Sequence, residues 1–364
     1  MKKTLAALAV LGAFAGSAMA ADVTLYGAMD TGFAYTNHKV TGSESENKLE
    51  MQTGYDTSNR WGLKGSEDLG NGYQVSFKLE NGFSGDDGTL NQGGRLFGRE
   101  AGLTLSGPFG SVAFGRFGGL SSSCGTYDML GYVESFDGGD NAVWGFAASD
   151  RFDNMVVYQT PRFAGLQVTA QYSFKTDSTD EKEGAEGTSR AERYASIGLS
   201  GEYGPAQFAV GYESMLWGSA KDDVRNDQDK GQLVFVGGNY DFEVVQIFAE
   251  GQYFKHQTSI SGFGEAFEND IGDVKGYGLH VGAAAPVGAA GKVTVGLYYT
   301  DATDEQGADD VDYKYLGASA RYNYSLSART GLYVGAGYAQ VKQEKAEDTK
   351  DKTAQVYCGL VHTF

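Results

Sequence analysis

Apolar and polar side chains alternate with a period of two in several segments of this chain, at residues 73–80, 166–174, 194–203 and 292–300. In the second segment, Leu166 and Val168 share one face, and Gln167 and Thr169 share the other. Because successive side chains of a strand point to opposite faces, this pattern predicts strands with one apolar and one polar face. The alternation alone does not separate a membrane barrel from a soluble sandwich, whose apolar face is buried.

The N-terminus has the features of a secretory signal peptide. Two lysines precede an apolar run at residues 5–15, and Ala18-Met19-Ala20 provides an A-x-A cleavage site before Ala21. The apolar run is too short for a membrane anchor, since a spanning helix needs about 20 apolar residues. We therefore expect residues 1–20 to be removed and residues 21–364 to leave the cytoplasm as a single domain.

No apolar stretch after the signal peptide is long enough to form a membrane helix. A membrane protein without such helices must be a closed barrel, because only closure satisfies every strand N–H and C=O group in lipid. The 54 glycines, 23 tyrosines and 21 phenylalanines suit strands and crowded barrel walls. The predicted fold class is therefore all-β, a transmembrane antiparallel β-barrel.

Short and long connections alternate along the chain, as they do between the periplasmic and extracellular sides of such barrels. Sixteen candidate strands lie between Val23 and Phe364, and a barrel of that size is wide enough for an aqueous channel. The predicted short turns are Asp68–Gly72, Gly107–Gly110, Pro161–Gly165, Tyr203–Pro205, Pro286–Gly291 and Asn323–Ser327.

The chain is strongly acidic, with 47 acidic residues, 29 basic residues and a formal net charge of −18. This charge argues against nucleic acid as a partner, since phosphates require a basic surface. Many acids fall in predicted loops, where they are either solvated or bridged by divalent cations to lipopolysaccharide. The predicted charged loops are residues 177–186, 221–230, 300–312 and 343–352.

Two cysteines are too few for a disulfide framework in a chain of this length. Cys124 falls in a predicted loop and Cys358 in the last strand, and we expect them not to pair. The sequence suggests no metal site and no cofactor.

Several motifs occur in a fixed order behind the signal peptide, and together they resemble the Gram-negative general diffusion porins, especially the β-proteobacterial branch. The resemblance implies a sixteen-stranded barrel, a homotrimer and a third extracellular loop folded into the lumen. It also implies an outer-membrane channel for passive diffusion of small hydrophilic solutes and ions. The motifs are Val23–Asp30, Arg60–Gly70, Phe97–Arg99, Leu105–Gly107, Phe109–Ser111, Phe114–Arg116, Tyr127–Tyr132, Phe163–Leu166 and the terminal Phe364.

The resemblance also assigns residues to a charged constriction. A porin of this type selects by size and by the transverse field between a basic wall and an acidic inward loop. Arginine suits the wall because it stays charged at any relevant pH. The implied basic residues are Arg60, Arg99, Arg116 and Arg151. The implied acidic residues, in a third loop at 118–150, are Glu134, Asp137 and Asp140, with Tyr127 and Tyr132 bracing the loop.

Each of these residues also has a simpler interpretation, as a wall arginine that only solvates the lumen or an exposed loop acid. Strand parity supports Arg60, because Trp61 then faces lipid. Parity is awkward for Arg99, which shares a face with Leu103 and Leu105 and needs a bulge or a strand end. Phe364 would be the terminal aromatic that the barrel assembly machinery reads.

The sequence departs from the porin pattern at two places. Some general porins have a lysine in the first strand where this chain has Ala28, and Asp30 is expected to face the lumen. The proline-bearing loop motif is shortened to residues 135–139. The lumen is therefore expected to hold fewer basic and more acidic groups than the lumen of those porins, which predicts a pore of low selectivity.

Other functions remain open. A substrate-specific channel for sugars or small acids, an adhesin and a soluble binding module are each compatible with alternating strands. A barrel enzyme would need a nucleophile beside a base. None of the four histidines lies in a recognisable catalytic motif, so no catalytic residue is assigned.

Overall fold

The computed structural model describes residues 23–122, 125–130, 136, 146–180, 184–218, 229–260, 272–306, 310–344 and 348–364. The expected signal peptide lies outside these residues. In the part that is described, no helix is long and apolar enough to cross a membrane.

Seventeen strand segments, β1 to β17, account for most of the described residues. Their bounds are β1 Thr24–Val40, β2 Glu46–Thr53, β3 Arg60–Gly70, β4 Tyr73–Gly82, β5 Glu100–Gly107, β6 Gly110–Gly118, β7 Arg151–Gln159, β8 Leu166–Ser173, β9 Arg193–Tyr203, β10 Ala206–Leu216, β11 Gly231–Asp241, β12 Gln246–Gln257, β13 Val274–Val287, β14 Gly291–Asp304, β15 Val311–Ser325, β16 Thr330–Glu344 and β17 Thr349–Thr363.

The sheet closes on itself between its first and last strands. All pairings are antiparallel, and β1 pairs with β17 from Ala28↔Thr363 to Val40↔Asp351. On its other edge, β1 pairs with β2 and then with β3, so these two segments share one position in the barrel. The seventeen segments therefore form sixteen positions, which confirms the predicted sixteen-stranded antiparallel barrel.

The first described residues, the C-terminus and the short turns lie at one end of the barrel. Gly27 and Phe364 exchange two backbone hydrogen bonds of 3.0 Å, which fasten the C-terminus to β1. The six predicted turns all connect neighbouring strands at this end. Asn71 and Gly72 have positive φ in the β3–β4 turn, as tight hairpins require.

Two of the predicted charged loops are shorter than expected. Strands β14 and β15 are separated only by residues 305–310, and β16 and β17 only by residues 345–348. The charged residues continue the strands, and opposite charges meet diagonally between neighbouring strands, within reach of long side chains. Lys314 Nζ on β15, for example, lies 3.1 Å from Glu344 Oε2 on β16.

The alternating pattern separates an apolar exterior from a mainly polar interior. On β13, Leu279 and Val281 are exposed on the outside, whereas His280 between them is buried. On β8, Thr169 and Gln171 are buried inside the barrel, as their parity predicts. An apolar face turned away from the barrel interior is the arrangement that lipid requires.

Gly32 allows β1 and β17 to approach closely at the closing seam. A Cβ atom added there would overlap the carbonyl oxygen of Cys358 and lie 2.7 Å from Cα of Gly359. Because the obstructing atoms belong to the backbone of β17, no side-chain rotation relieves the contact.

We expect Gly32→Ala to destabilise the barrel by about 1–3 kcal/mol, the usual cost of overpacking. The substitution should lower the temperature at which the barrel unfolds. The unfolding is followed on a gel, where the folded and the heat-unfolded forms migrate differently. Gly331→Ala is a matched strand control, because the nearest atoms to a Cβ there are 3.5 Å away. Equal transition temperatures for the two variants would contradict this account of the seam.

Candidate functional site

A cluster of charges lines the inside of β3, β4 and β5, centred on Glu80. The Glu80 carboxylate is buried, and its Oε1 atom accepts a 2.8 Å bond from Arg99 Nε. Its Oε2 atom accepts a 2.9 Å bond from the Tyr26 hydroxyl and lies 3.9 Å from Arg60 Nε. Two of the predicted basic residues, Arg60 and Arg99, therefore meet at one carboxylate.

Lysines extend this cluster along the wall. Lys78 Nζ lies 2.8 Å from Glu100 Oε2 and 3.7 Å from Glu80 Oε2. Lys64 Nζ lies 5.2 Å from the ring centroid of Tyr26. The β3–β5 charge cluster thus contains four cations, Arg60, Lys64, Lys78 and Arg99, and two carboxylates, Glu80 and Glu100.

The start of β5 explains how Arg99 reaches the interior. Strand β5 begins at Glu100, so Arg99 precedes the regular alternation that sends Leu103 and Leu105 outward. The Arg99 amide donates to the Glu80 carbonyl over 3.2 Å, and the Arg99 side chain is buried on the same residue. Arg99 therefore lies just before the start of a strand, which is the strand end that its parity required.

Arg116 lies in a different cluster from Glu80. Arg116 Nη1 lies 2.6 Å from Asp153 Oδ1. Arg95 binds the same carboxylate, with 3.2 Å between Arg95 Nη2 and Asp153 Oδ2. Arg95 also contacts Asp177 in the β8–β9 loop. Partial burial raises the pKa of Asp177, but bonds from Thr179 and Arg95 outweigh burial and leave that pKa below its ordinary value.

Arg151 is the first residue of β7, and its Nη1 atom lies 3.8 Å from Asp150 Oδ1. The next residue, Phe152, packs inside the barrel against Tyr194 with 4.4 Å between the ring centroids. Of the four arginines that the resemblance assigned to the constriction, the structure brings only Arg60 and Arg99 together.

The third loop joins β6 to β7, and part of it is described. Tyr127 packs against Phe117, with 5.2 Å between ring centroids, and its hydroxyl lies 3.4 Å from Thr104 Oγ1.

Some of the sequence predictions concern single residues elsewhere. Cys358, on β17, is exposed and free. The predictions for Glu134, Asp137, Asp140, Tyr132 and Cys124 concern residues outside the described ranges.

The start and end of this loop are bound to Glu213 of β10. Ser121 donates to Glu213 through its amide and its hydroxyl, each over 2.8 Å. The hydroxyl groups of Ser149 and Tyr194 also donate to Oε1, over 3.1 Å and 2.7 Å. Glu213 was not singled out in the sequence, because a single acid on an alternating strand resembles any other lumen residue.

Other described residues of the loop contact the far side of the barrel. The Ala147 amide donates to Gln252 Oε1 of β12 over 2.8 Å. The Phe136 carbonyl accepts a bond from the Tyr298 hydroxyl of β14. Apolar side chains follow the same path, packed together inside the wall: Leu120, Met129, Leu130, Phe146, Phe235, Phe254 and Tyr315.

Asp30 organises a second inward element that the alternation did not predict. Its Oδ2 atom accepts bonds from the amides of Asp56 and Thr57 over 2.7 Å and 2.8 Å, and its Oδ1 atom accepts one from the Tyr333 hydroxyl over 2.6 Å. Residues 54–59, which separate β2 from β3, are thereby held against the inner wall. The sequence feature that could have predicted this element is its run of turn-forming residues, Gly54, Asp56, Ser58 and Asn59.

The interior is therefore a wall of fixed, paired charges faced by chain segments that leave the wall. Such an arrangement can orient water and bias the passage of ions. Within the described ranges, no three histidine, cysteine or acidic side chains are placed to hold a metal ion.

Comparison with known proteins gives matches along nearly the whole chain. Residues 6–344 match the family model described as Gram-negative porin. An outer membrane porin protein of Bordetella pertussis is 34% identical over 404 residues, with 100% of both chains covered. Outer membrane porin protein 32 of Delftia acidovorans is 33% identical over 369 residues, with 99% of this chain and 95% of the relative covered.

Solved structures show the same barrel. The anion-selective porin from Comamonas acidovorans superposes with a TM-score of 0.68 at 26% identity, covering 94% of this chain and 100% of that one. The apolar exterior and the outer membrane relatives together place the protein in the outer membrane of a Gram-negative bacterium. By sequence and by architecture, this chain belongs to the Gram-negative porin family.

Proposed function

We propose that the protein is a passive, water-filled channel for small hydrophilic solutes and ions, and that it acts as a channel rather than as an enzyme. The observation that carries the proposal is the β3–β5 charge cluster, which places paired charges on the inside of a closed barrel. A packed protein core would not hold so many ionised groups, since charges are costly to remove from water.

The proposed constriction lies between this cluster and the third loop. The contacts of Phe136 with β14 and of Ala147 with β12 support a loop that crosses the lumen rather than one that extends into the medium. Glu134, Asp137 and Asp140 would supply its acidic side. Opposed rows of fixed charge would then create a transverse field across the passage.

The charge balance of the wall favours anions. Four cations share two carboxylates in the β3–β5 charge cluster, and one solved relative is titled an anion-selective porin. The acids proposed for the third loop oppose this preference. We therefore propose a weak preference for anions, which is compatible with the low selectivity expected from Ala28 and Asp30.

The partners proposed are those of a porin. The resemblance implies a homotrimer, contact with outer-membrane lipid and lipopolysaccharide, and recognition of Phe364 by the barrel assembly machinery. Export by a signal peptide at residues 1–20 follows from the N-terminal sequence itself. The bonds between Gly27 and Phe364 support the role of the C-terminus, because they complete the closing strand pair. A substrate-specific channel for sugars or small acids remains the alternative.

Single-channel recording in a planar bilayer tests the channel. We expect discrete steps whose conductance rises in proportion to KCl concentration, because a water-filled passage holds more carriers at higher salt. Three equal sublevels would support the homotrimer. Correctly folded protein that gives no steps would contradict the proposed function and favour an adhesin.

The reversal potential under a KCl gradient tests the charge cluster. Glu80→Gln keeps the size of the side chain and one acceptor oxygen but removes its charge, so chloride permeability should rise relative to potassium by about two- to fivefold. The estimate follows from about 1 kcal/mol for a unit charge a few ångströms away in water, reduced by salt screening.

Two further variants make this measurement specific. Arg60→Gln should shift the permeability ratio in the opposite direction, toward potassium. Glu243→Gln, in the exposed β11–β12 turn, removes a carboxylate far from the cluster and should leave the ratio unchanged. An unchanged ratio in both Glu80→Gln and Arg60→Gln would show that the cluster lies outside the ion path.

A further inference from the structure

Residues 54–59, here called the inner strap, leave the barrel wall between β2 and β3 and pass over the inner face of other strands. Tyr55 is buried against Tyr357 of β17, with 4.9 Å between ring centroids. Its hydroxyl accepts a 2.8 Å bond from Gln355 Nε2, also on β17. A turn this rich in polar residues would be expected at a surface, but here it is held inside.

The strap reaches β15, four positions around the barrel from the β2–β3 position. Asn323 Nδ2 donates to Asp56 Oδ1 over 2.6 Å. Arg321 Nη1 donates to the Tyr55 carbonyl over 2.8 Å, and Arg321 Nε lies 3.4 Å from Asp56 Oδ1. One guanidinium therefore binds both the backbone and a carboxylate of the strap.

The other end of the strap meets the β3–β5 charge cluster. Arg60 Nη1 donates to Thr57 Oγ1 over 3.2 Å and to the Ser58 carbonyl over 3.0 Å. The amides of Asp56 and Thr57 are held by the buried carboxylate of Asp30. The strap thus connects the arginine at the cluster with the arginine on β15.

Arg321 also contacts the third loop. Its guanidinium carbon lies 4.8 Å from the ring centroid of Phe136, within the range of a cation–π interaction. Phe136 is buried, and its carbonyl is held by the Tyr298 hydroxyl. Among the described residues, Arg321 is therefore a point at which the two inward elements meet.

We propose that Arg321 is a positioning residue that joins the inner strap to the third loop and fixes the loop across the passage. Its charge is balanced by Asp56, so its main effect is on the position of the loop, with a smaller effect on ion preference. This inference rests on the proposed channel function. A planar guanidinium can stack on Phe136 while it binds Tyr55 and Asp56, whereas a lysine ammonium lacks that geometry.

The test uses the full-length protein, folded and inserted in planar bilayers, with the variants Arg321→Lys, Arg321→Gln and Phe136→Leu. Each should increase the current noise of the open channel and the rate of brief closures several-fold. Arg321→Lys and Phe136→Leu keep the charge and should leave the permeability ratio unchanged. Arg321→Gln leaves Asp56 uncompensated and should shift the ratio toward potassium.

Arg329→Gln is the matched control, because this exposed arginine lies in the β15–β16 turn, eight residues from Arg321. It should behave as the wild type. The double variant Phe136→Leu/Arg321→Gln should be no noisier than the noisier single variant, since both substitutions break the same contact. Heat-modifiable migration on a gel checks that each variant is folded.

Wild-type noise in both Arg321→Lys and Phe136→Leu, in channels that conduct normally, would overturn the inference and leave the channel function intact. Additive noise in the double variant would also overturn it. A wild-type protein that folds but never conducts would overturn the proposed function and this inference together. Should Arg321→Gln fail to fold, the other two single variants still decide the question.

Discussion

Backbone hydrogen bonding in lipid is the constraint on which this structure depends. An unpaired N–H or C=O group in hydrocarbon costs several kcal/mol, so a sheet that crosses the membrane must have no free edge. Here the pairing of β1 with β17 removes that edge, and the bonds between Gly27 and Phe364 complete this strand pair. Once the ring is closed, strand alternation directs apolar side chains to lipid and leaves the interior to polar groups.

Inside the barrel, order comes from carboxylates that each bind several donors. Glu80 joins Arg60, Arg99 and Tyr26 on the wall, and Glu213 holds both ends of the third loop. In Glu80 and Glu213, each carboxylate oxygen that loses water accepts a hydrogen bond from a donor, which is the condition for placing charge in a buried site. Charges can thus remain in a fixed position while facing a passage.

The sequence predicted the barrel well because its signals recur in several strands and turns along the chain. The alternation, the short turns and the sixteen positions were confirmed. Single-residue placements were harder. The inner strap breaks the alternation, and the apolar side chains around Phe235 face the interior, where described residues of the third loop pack against them. Arg116 lies at a register shift between Gly115 and Phe117, which strand counting does not reveal. The acidic residues of the third loop remain predictions.

The inner strap also has a consequence for assembly. Asp30 binds Tyr333 across 303 residues of sequence, and Arg321 binds Tyr55 across 266. Elements near the N-terminus therefore make these contacts only after strands near the C-terminus are in place. Contacts so distant in sequence are expected to form late, because closing a long loop costs conformational entropy. A barrel without its last strands would lack the bond from Tyr333 to Asp30 and the bond from Arg321 to the strap. The passage would acquire its final width only as the last strands join, which couples pore calibre to completion of the wall.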